Sequence, residues 1–115
     1  MTIAIRVAFE QNRITTGGDH TCAIIGDGDV WCWGNNENGQ IGNGASGGPV
    51  RRPVQIPVGA KALSLVATSR STCALLADHS VVCWGLNDVG QLGDGTTTTS
   101  LTPVTVRDLS GVLTI

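Results

Sequence analysis

Four cysteines, two histidines and a handful of carboxylates are the residues of this chain whose types could do chemistry. His20 stands two residues before Cys22, the lettering of a cysteine–histidine nucleophile pair. Asp78-His79-Ser80 spells a hydrolytic triad, and Asp27-Gly28-Asp29 the start of a calcium loop. Spacing argues against each. A triad needs side chains that converge in space, and neighbours on one hairpin point different ways. The aspartates lack the further ligands and distal glutamate of a calcium loop. The glycine-rich stretch Gly42 to Gly48 has no Lys-Ser/Thr after it and opens no helix, so it is no phosphate cradle. Structural zinc sites space paired cysteines two to four residues apart, whereas nine residues separate Cys22 from Cys32 and Cys73 from Cys83. No catalytic residue, metal or cofactor is expected.

The elements that carry these residues are written twice. Cys73, Cys83, Trp84, Asn87, Gly90 and Gln91 each fall 51 residues after Cys22, Cys32, Trp33, Asn36, Gly39 and Gln40. One offset held across so many unusual residues marks a tandem repeat. The first repeat spans about residues 2–52 and the second about 53–102, with extra strands over 103–115. Short runs of alternating, β-branched sequence separated by Gly/Asp turns predict strands and no helix. The first unit reads as strands at Thr2 to Val7, Arg13 to Gly17, His20 to Ile25 and Val30 to Gly34. The second reads as Pro53 to Val58, Ala62 to Thr68, Ser71 to Leu76 and Val81 to Gly85, with echoes at Pro103 to Val106 and Val112 to Ile115. About four strands per unit of roughly 50 residues suits a propeller blade better than a β-helix coil.

On this reading Cys22 and Cys32 are equidistant from one hairpin turn, and Cys73 and Cys83 from the next. Residues so placed face each other across an antiparallel pair, within disulfide reach. The geometry favours Cys22–Cys32 and Cys73–Cys83 over free, buried thiols. A bonded Cys22 is unavailable as a nucleophile.

Composition excludes other classes. Seven Lys+Arg stand against nine Asp+Glu, and no basic run exceeds Arg51-Arg52. Neither nucleic acid nor an anionic membrane surface is an expected partner. No apolar run approaches the ~18 residues of a transmembrane helix. Residues 1–7 do not read as a signal peptide. Either the protein is not secreted or its leader lies outside these residues; the cysteine pairs point to an extracytoplasmic or secreted protein.

The stretch Gly17 to Gly44, GGDHTCAIIGDGDVWCWGNNENGQIGNG, resembles the regulator of chromosome condensation repeat, and CWGLNDVGQLGDG from Cys83 to Gly95 resembles it again. The cysteine-paired hairpins resemble a bacterial, extracytoplasmic variety of that family. The second unit departs at Thr68 to Ser71, where Gly-Gly-x-His is expected, and at His79, where a turn glycine is expected. The resemblance implies an all-β propeller built from four-stranded antiparallel blades, usually seven. Packing accounts for the motif without catalysis. Trp33 and Trp84 suit the space between blades, and Gly34 and Gly85 a sharp strand exit. Asn36, Asn87, Gln40 and Gln91 suit loop hydrogen bonds, while Gly39 and Gly90 supply turns. His20 reads as a structural hydrogen-bonding residue. Loops that differ between the repeats are where partners bind on such scaffolds, with Arg51, Arg52 and Arg70 as candidate contacts.

The resemblance therefore implies a non-catalytic scaffold for an unnamed protein partner, with carbohydrate or small-ligand binding as the alternative. Two blades leave faces and edges unpaired. A fragment of a larger propeller, or self-association to complete a ring, is expected.

Overall fold

The computed structural model describes residues 12–109, 111, 112 and 115. Strands β1 (Ile14–Thr16), β2 (His20–Ile25), β3 (Asp29–Gly34) and β4 (Val50–Ile56) pair in chain order into one antiparallel sheet. Strands β5 (Ala62–Ala67), β6 (Ser71–Leu76), β7 (Val81–Gly85) and β8 (Ser100–Thr105) repeat that meander in a second. Each sheet is a propeller blade, and no helix occurs among the described residues.

The expected strands differ from these in detail. The outer strands β4 and β8 begin at Val50 and Ser100, before the prolines taken as their start. Pro53 and Pro103 lie inside strands that are paired on one side only, where a missing N–H leaves no ladder bond unmade. A register shift recurs between Cys32 and Gly34 and between Cys83 and Gly85, where each outer strand bends. Strand β1 covers Ile14–Thr16 and β5 ends at Ala67, both shorter than the periodicity suggests. The expected strand at Thr2 to Val7 lies outside the described residues, and of Val112 to Ile115 only the two end residues are described.

Apolar side chains on both faces explain why the blades stack. Cys22, Ile24, Val30, Cys32 and Ile41 of the first blade pack with Leu65, Ala74, Leu76, Val82 and Trp84 of the second in one buried cluster. The second blade's other face, with Leu75, Val81, Cys83 and Leu92, has its own cluster, against which Val112 and Ile115 pack. Strand β3 alternates between buried and part-exposed residues, whereas β7, covered on both faces, is buried throughout. Polar contacts fix the seam. The Leu65 N–H donates to the Asn12 carbonyl (2.9 Å), the Ala67 N–H to Thr15 Oγ1 (3.0 Å) and the Ala62 N–H to the Gly28 carbonyl (2.9 Å).

Cys22 is paired with Cys32 and Cys73 with Cys83, each directly opposite its partner with Cα atoms 4.1 Å apart. Both disulfides staple neighbouring strands of one hairpin. Each closes a loop of sequence separation 10, worth roughly 2–3 kcal/mol on the loop-entropy account. Replacing Cys73 and Cys83 together by alanine is expected to lower unfolding stability by about that amount, read from the denaturant midpoint. The doubly substituted chain should be less sensitive to reductant than the wild type.

Candidate functional site

His20, Thr72, Gln40 and Trp84 meet at the seam in a continuous hydrogen-bonded chain, His20 standing where the second repeat has Ser71. His20, which begins β2, is buried, and its Nε2–H donates to Thr72 Oγ1 on β6 (2.9 Å). The Thr72 hydroxyl donates to the carbonyl of Gln40 (2.9 Å), which also accepts the indole Nε1–H of the fully buried Trp84 (2.9 Å). Buried chains of this kind polarise one another and specify a single docking geometry. The remaining ring nitrogen, Nδ1 of His20, is buried without a partner. A second proton there would be an unpaired charge, and burial accordingly holds the His20 pKa below its usual 6.5, against a smaller opposing pull from Asp19. Close packing against the indole needs the glycine at Gly42: its φ is 86°, and a Cβ would stand 2.7 Å from the Trp84 ring.

The shared loops are held by their own side chains. Asn36 Oδ1 accepts the Ile41 N–H (3.1 Å) and its amide donates to the Ala45 carbonyl (2.9 Å). Asn87 does the same for Leu92 (2.9 Å) and the carbonyls of Thr96 and Thr98 (3.1 and 3.0 Å). Gln40 Oε1 accepts the Asn38 N–H and Gln91 Oε1 the Val89 N–H (2.8 and 2.9 Å). Gly34 and Gly85 close β3 and β7, and Gly39 and Gly90 turn the loops, all with positive φ.

The triad lettering does not converge. Asp78 Oδ1 accepts the Ser80 N–H and hydroxyl (3.0 and 2.6 Å), which holds its carboxyl below the usual range. The His79 Nδ1–H instead donates to the Val112 carbonyl (2.8 Å). Asp27 and Asp29 face a cation already present, Lys61 Nζ, at 3.4 and 2.8 Å.

Residues that differ between the repeats are arranged otherwise. Asp19, Asn35 and Glu37 line an open cleft with Trp33, Gly34, Val50 and Arg51. The same three line an adjoining polar cleft with Gly18, Ser69 and Arg70. Arg51 and Arg70 thus flank one acidic rim, while Arg52, exposed on β4, lines neither cleft. Asp19 and Glu37 went unnoticed in the sequence. Their signal was negative: the positions 51 residues on, Arg70 and Asp88, match only one of them even in charge.

Two models of the regulator of chromosome condensation (RCC1) repeat match this pattern, one over residues 12–40 and 63–91, the other over 27–76 and 78–115. The chain belongs to the RCC1 repeat family. Within the family it is 35% identical over 101 residues to the E3 ubiquitin-protein ligase HERC2 of Homo sapiens, across 86% of this chain and 2% of that protein. It is 32% identical over 100 residues to the ultraviolet-B receptor UVR8 of Arabidopsis thaliana, across 86% of this chain and 23% of the receptor. The chain therefore spans less than a quarter of the length of these two RCC1-repeat relatives. Prp20p of Saccharomyces cerevisiae superposes with a TM-score of 0.76 at 19% identity, over 83% of this chain and 25% of Prp20p. Yeast RCC1 (Prp20) in its complex with Kap60 gives 0.68 at 28% identity, over 85% of this chain and 25% of that one.

Two outcomes follow from the RCC1-type seam. Trp84→Phe, which leaves the Gln40 carbonyl one donor short, should cost about 1–2 kcal/mol in unfolding of the dilute protein. Trp33→Phe, at a part-exposed site, should stay within about 0.5 kcal/mol. The second outcome concerns acid. Because burial lowers the folded-state pKa of His20, the unfolded chain takes up this proton first as pH falls. The contribution of neutral His20 is whole above about pH 7 and is lost as pH drops below ~6.5 toward the folded pKa. His20→Gln should flatten the fall in denaturant midpoint between about pH 7.5 and about pH 5; an unchanged fall would assign it to other groups.

Proposed function

We propose that the chain is a non-catalytic pair of propeller blades that binds a protein partner through the rim lined by Asp19, Glu37, Arg51 and Arg70, with Arg52 beside it, as part of a larger propeller closed by further blades or copies. One observation carries this reading. Most residues common to both repeats are engaged in seam and loop packing, while Asp19, Asn35, Glu37 and Arg51, which differ between the repeats, line open clefts on one rim beside the shared Trp33, Gly34 and Gln40. A scaffold that spends its repeated residues on architecture has its variable residues free for recognition. The relatives support the reading: Prp20p has binding properties toward Gsp1p and histones, and yeast RCC1 is seen bound to Kap60. The two disulfides suit an oxidising, extracytoplasmic setting.

The test is affinity capture from extracts of the source organism, compared between the wild type and Arg51→Glu/Arg70→Glu, alongside a glycan array. Proteins held by the wild type and reduced roughly tenfold by the double charge reversal are expected. Equal retention by both, or a saccharide that binds the array and competes for the rim, would overturn it in favour of another surface or a lectin-like role.

A further inference from the structure

The 51-residue offset maps the filled seam onto the two outer ends of the molecule. On the second blade, Leu65 is 0% and Leu76 4% exposed because the first blade covers them. Their equivalents on the first blade, Ile14 and Ile25, are 64% and 54% exposed. Trp84 is buried; its equivalent Trp33 stands part-exposed in an open cleft beside Val50 and Arg51. The first blade thus presents the same apolar face that the second has already docked. At the other end lies the matching receptacle. Gly39, Gly42 and Gly44 are covered by Leu101, Trp84 and Thr102. Their equivalents Gly90, Gly93 and Gly95 line a cleft with Thr96, Arg107 and Asp108, in which Gly90 is open while Val106 and Arg107 of the chain's own tail stand against Gly93 and Gly95.

From this plug and socket we infer that a second copy of the chain docks head to tail, the Trp33 face of one copy seated on the Gly90–Gly95 loop of the other. The contact repeats one the molecule already makes. Trp33 Nε1–H and Thr21 Oγ1 take the places of Trp84 and Thr72 and donate to the Gln91 carbonyl, as theirs do to Gln40. The Val50 carbonyl accepts the Gly95 N–H, as that of Leu101 accepts Gly44 (2.9 Å). Both rims carry mixed charge, Asp19, Glu37 and Arg51 against Arg107 and Asp108. Such a contact is heterologous and propagates to a closed ring with an even number of blades, or to an open chain. The chain's own C-terminal residues compete, beginning with Val106 and Arg107 against Gly93 and Gly95. The Val112 N–H donates to the His79 carbonyl (3.1 Å), as Ala62 does to Gly28, and Ile115 packs on the socket-side cluster. Ile115 and the incoming Ile14 are both equivalents of Leu65, so this tail yields when a copy docks.

This rests on the reading of the chain as blades of a larger propeller, but its test is separate from partner capture. Trp33→Asp removes the plug and leaves the socket. Gly90→Asn fills the socket, since φ there is 80°, a conformation asparagine tolerates, and a Cβ would meet within the chain only the Thr96 carbonyl, at 3.9 Å. Sedimentation should show concentration-dependent association of the wild type, and each variant alone weakened at least about tenfold. An equimolar mixture of the two should form a dimer and stop there, because only one plug and one socket remain intact. Val112→Pro, which deletes the competing N–H, should tighten association. A wild type that stays monomeric, single variants that still assemble, a mixture that stays monomeric, or weaker association of Val112→Pro would each overturn it. A monomeric wild type that still captures its partner would leave the interaction reading standing.

Discussion

The indole of Trp84, laid over Gly42 with its N–H on the Gln40 carbonyl, is the contact on which the rest of this structure depends. A four-stranded sheet with apolar side chains on both faces cannot be satisfied by itself; each face needs a neighbour. The seam supplies one, and Trp84 sets its distance and register. Thr72 and His20 extend the same hydrogen-bonded chain into the two blades, so that apolar burial and polar satisfaction specify one docking geometry. A bulkier residue at Gly42 would push the indole off, and the carbonyl beneath would be left with fewer donors.

The same economy accounts for the residues with reactive lettering. The cysteines are consumed as staples within hairpins. Asp78 closes its turn by accepting from Ser80, and Asp27 and Asp29 hold Lys61 across the seam. His79, standing where the first blade has Gly28, takes a left-handed φ of 66° and its ring donates to the Val112 carbonyl. The departure from the repeat pattern at this position is therefore a structural exchange: the ring contact with Val112 replaces the freedom of a glycine. What remains unspent is the rim of Asp19, Glu37, Arg51 and Arg70 and the exposed apolar face around Ile14 and Ile25.

The solved RCC1-type chains on which this one superposes are several times longer, each covered over about a quarter of its length. On the first blade's outer face Ile14 and Ile25 stand exposed where the second blade's Leu65 and Leu76 are buried in the seam. The charged rim and the open end of the seam adjoin: Trp33 and Val50 line the same cleft as Asp19, Glu37 and Arg51.

Much of this was legible in the chain itself. The 51-residue offset, the strand runs of β2, β3, β6 and β7, and the equidistant cysteines determined two hairpin-based blades and which cysteines face each other, because alternation and turn chemistry are local. The proline-led starts of β4 and β8 misled, since only the sheet shows that these strands are edges where a proline costs no bond. That His20 reaches Thr72, that Trp84 is buried while Trp33 is not, and that Asp19 and Glu37 share a rim with Arg51 and Arg70 were decided by tertiary structure alone. Repeat-equivalent residues carry the same local code, and burial depends on which neighbour a blade has. No property of the chain's own order distinguishes an inner face from an end.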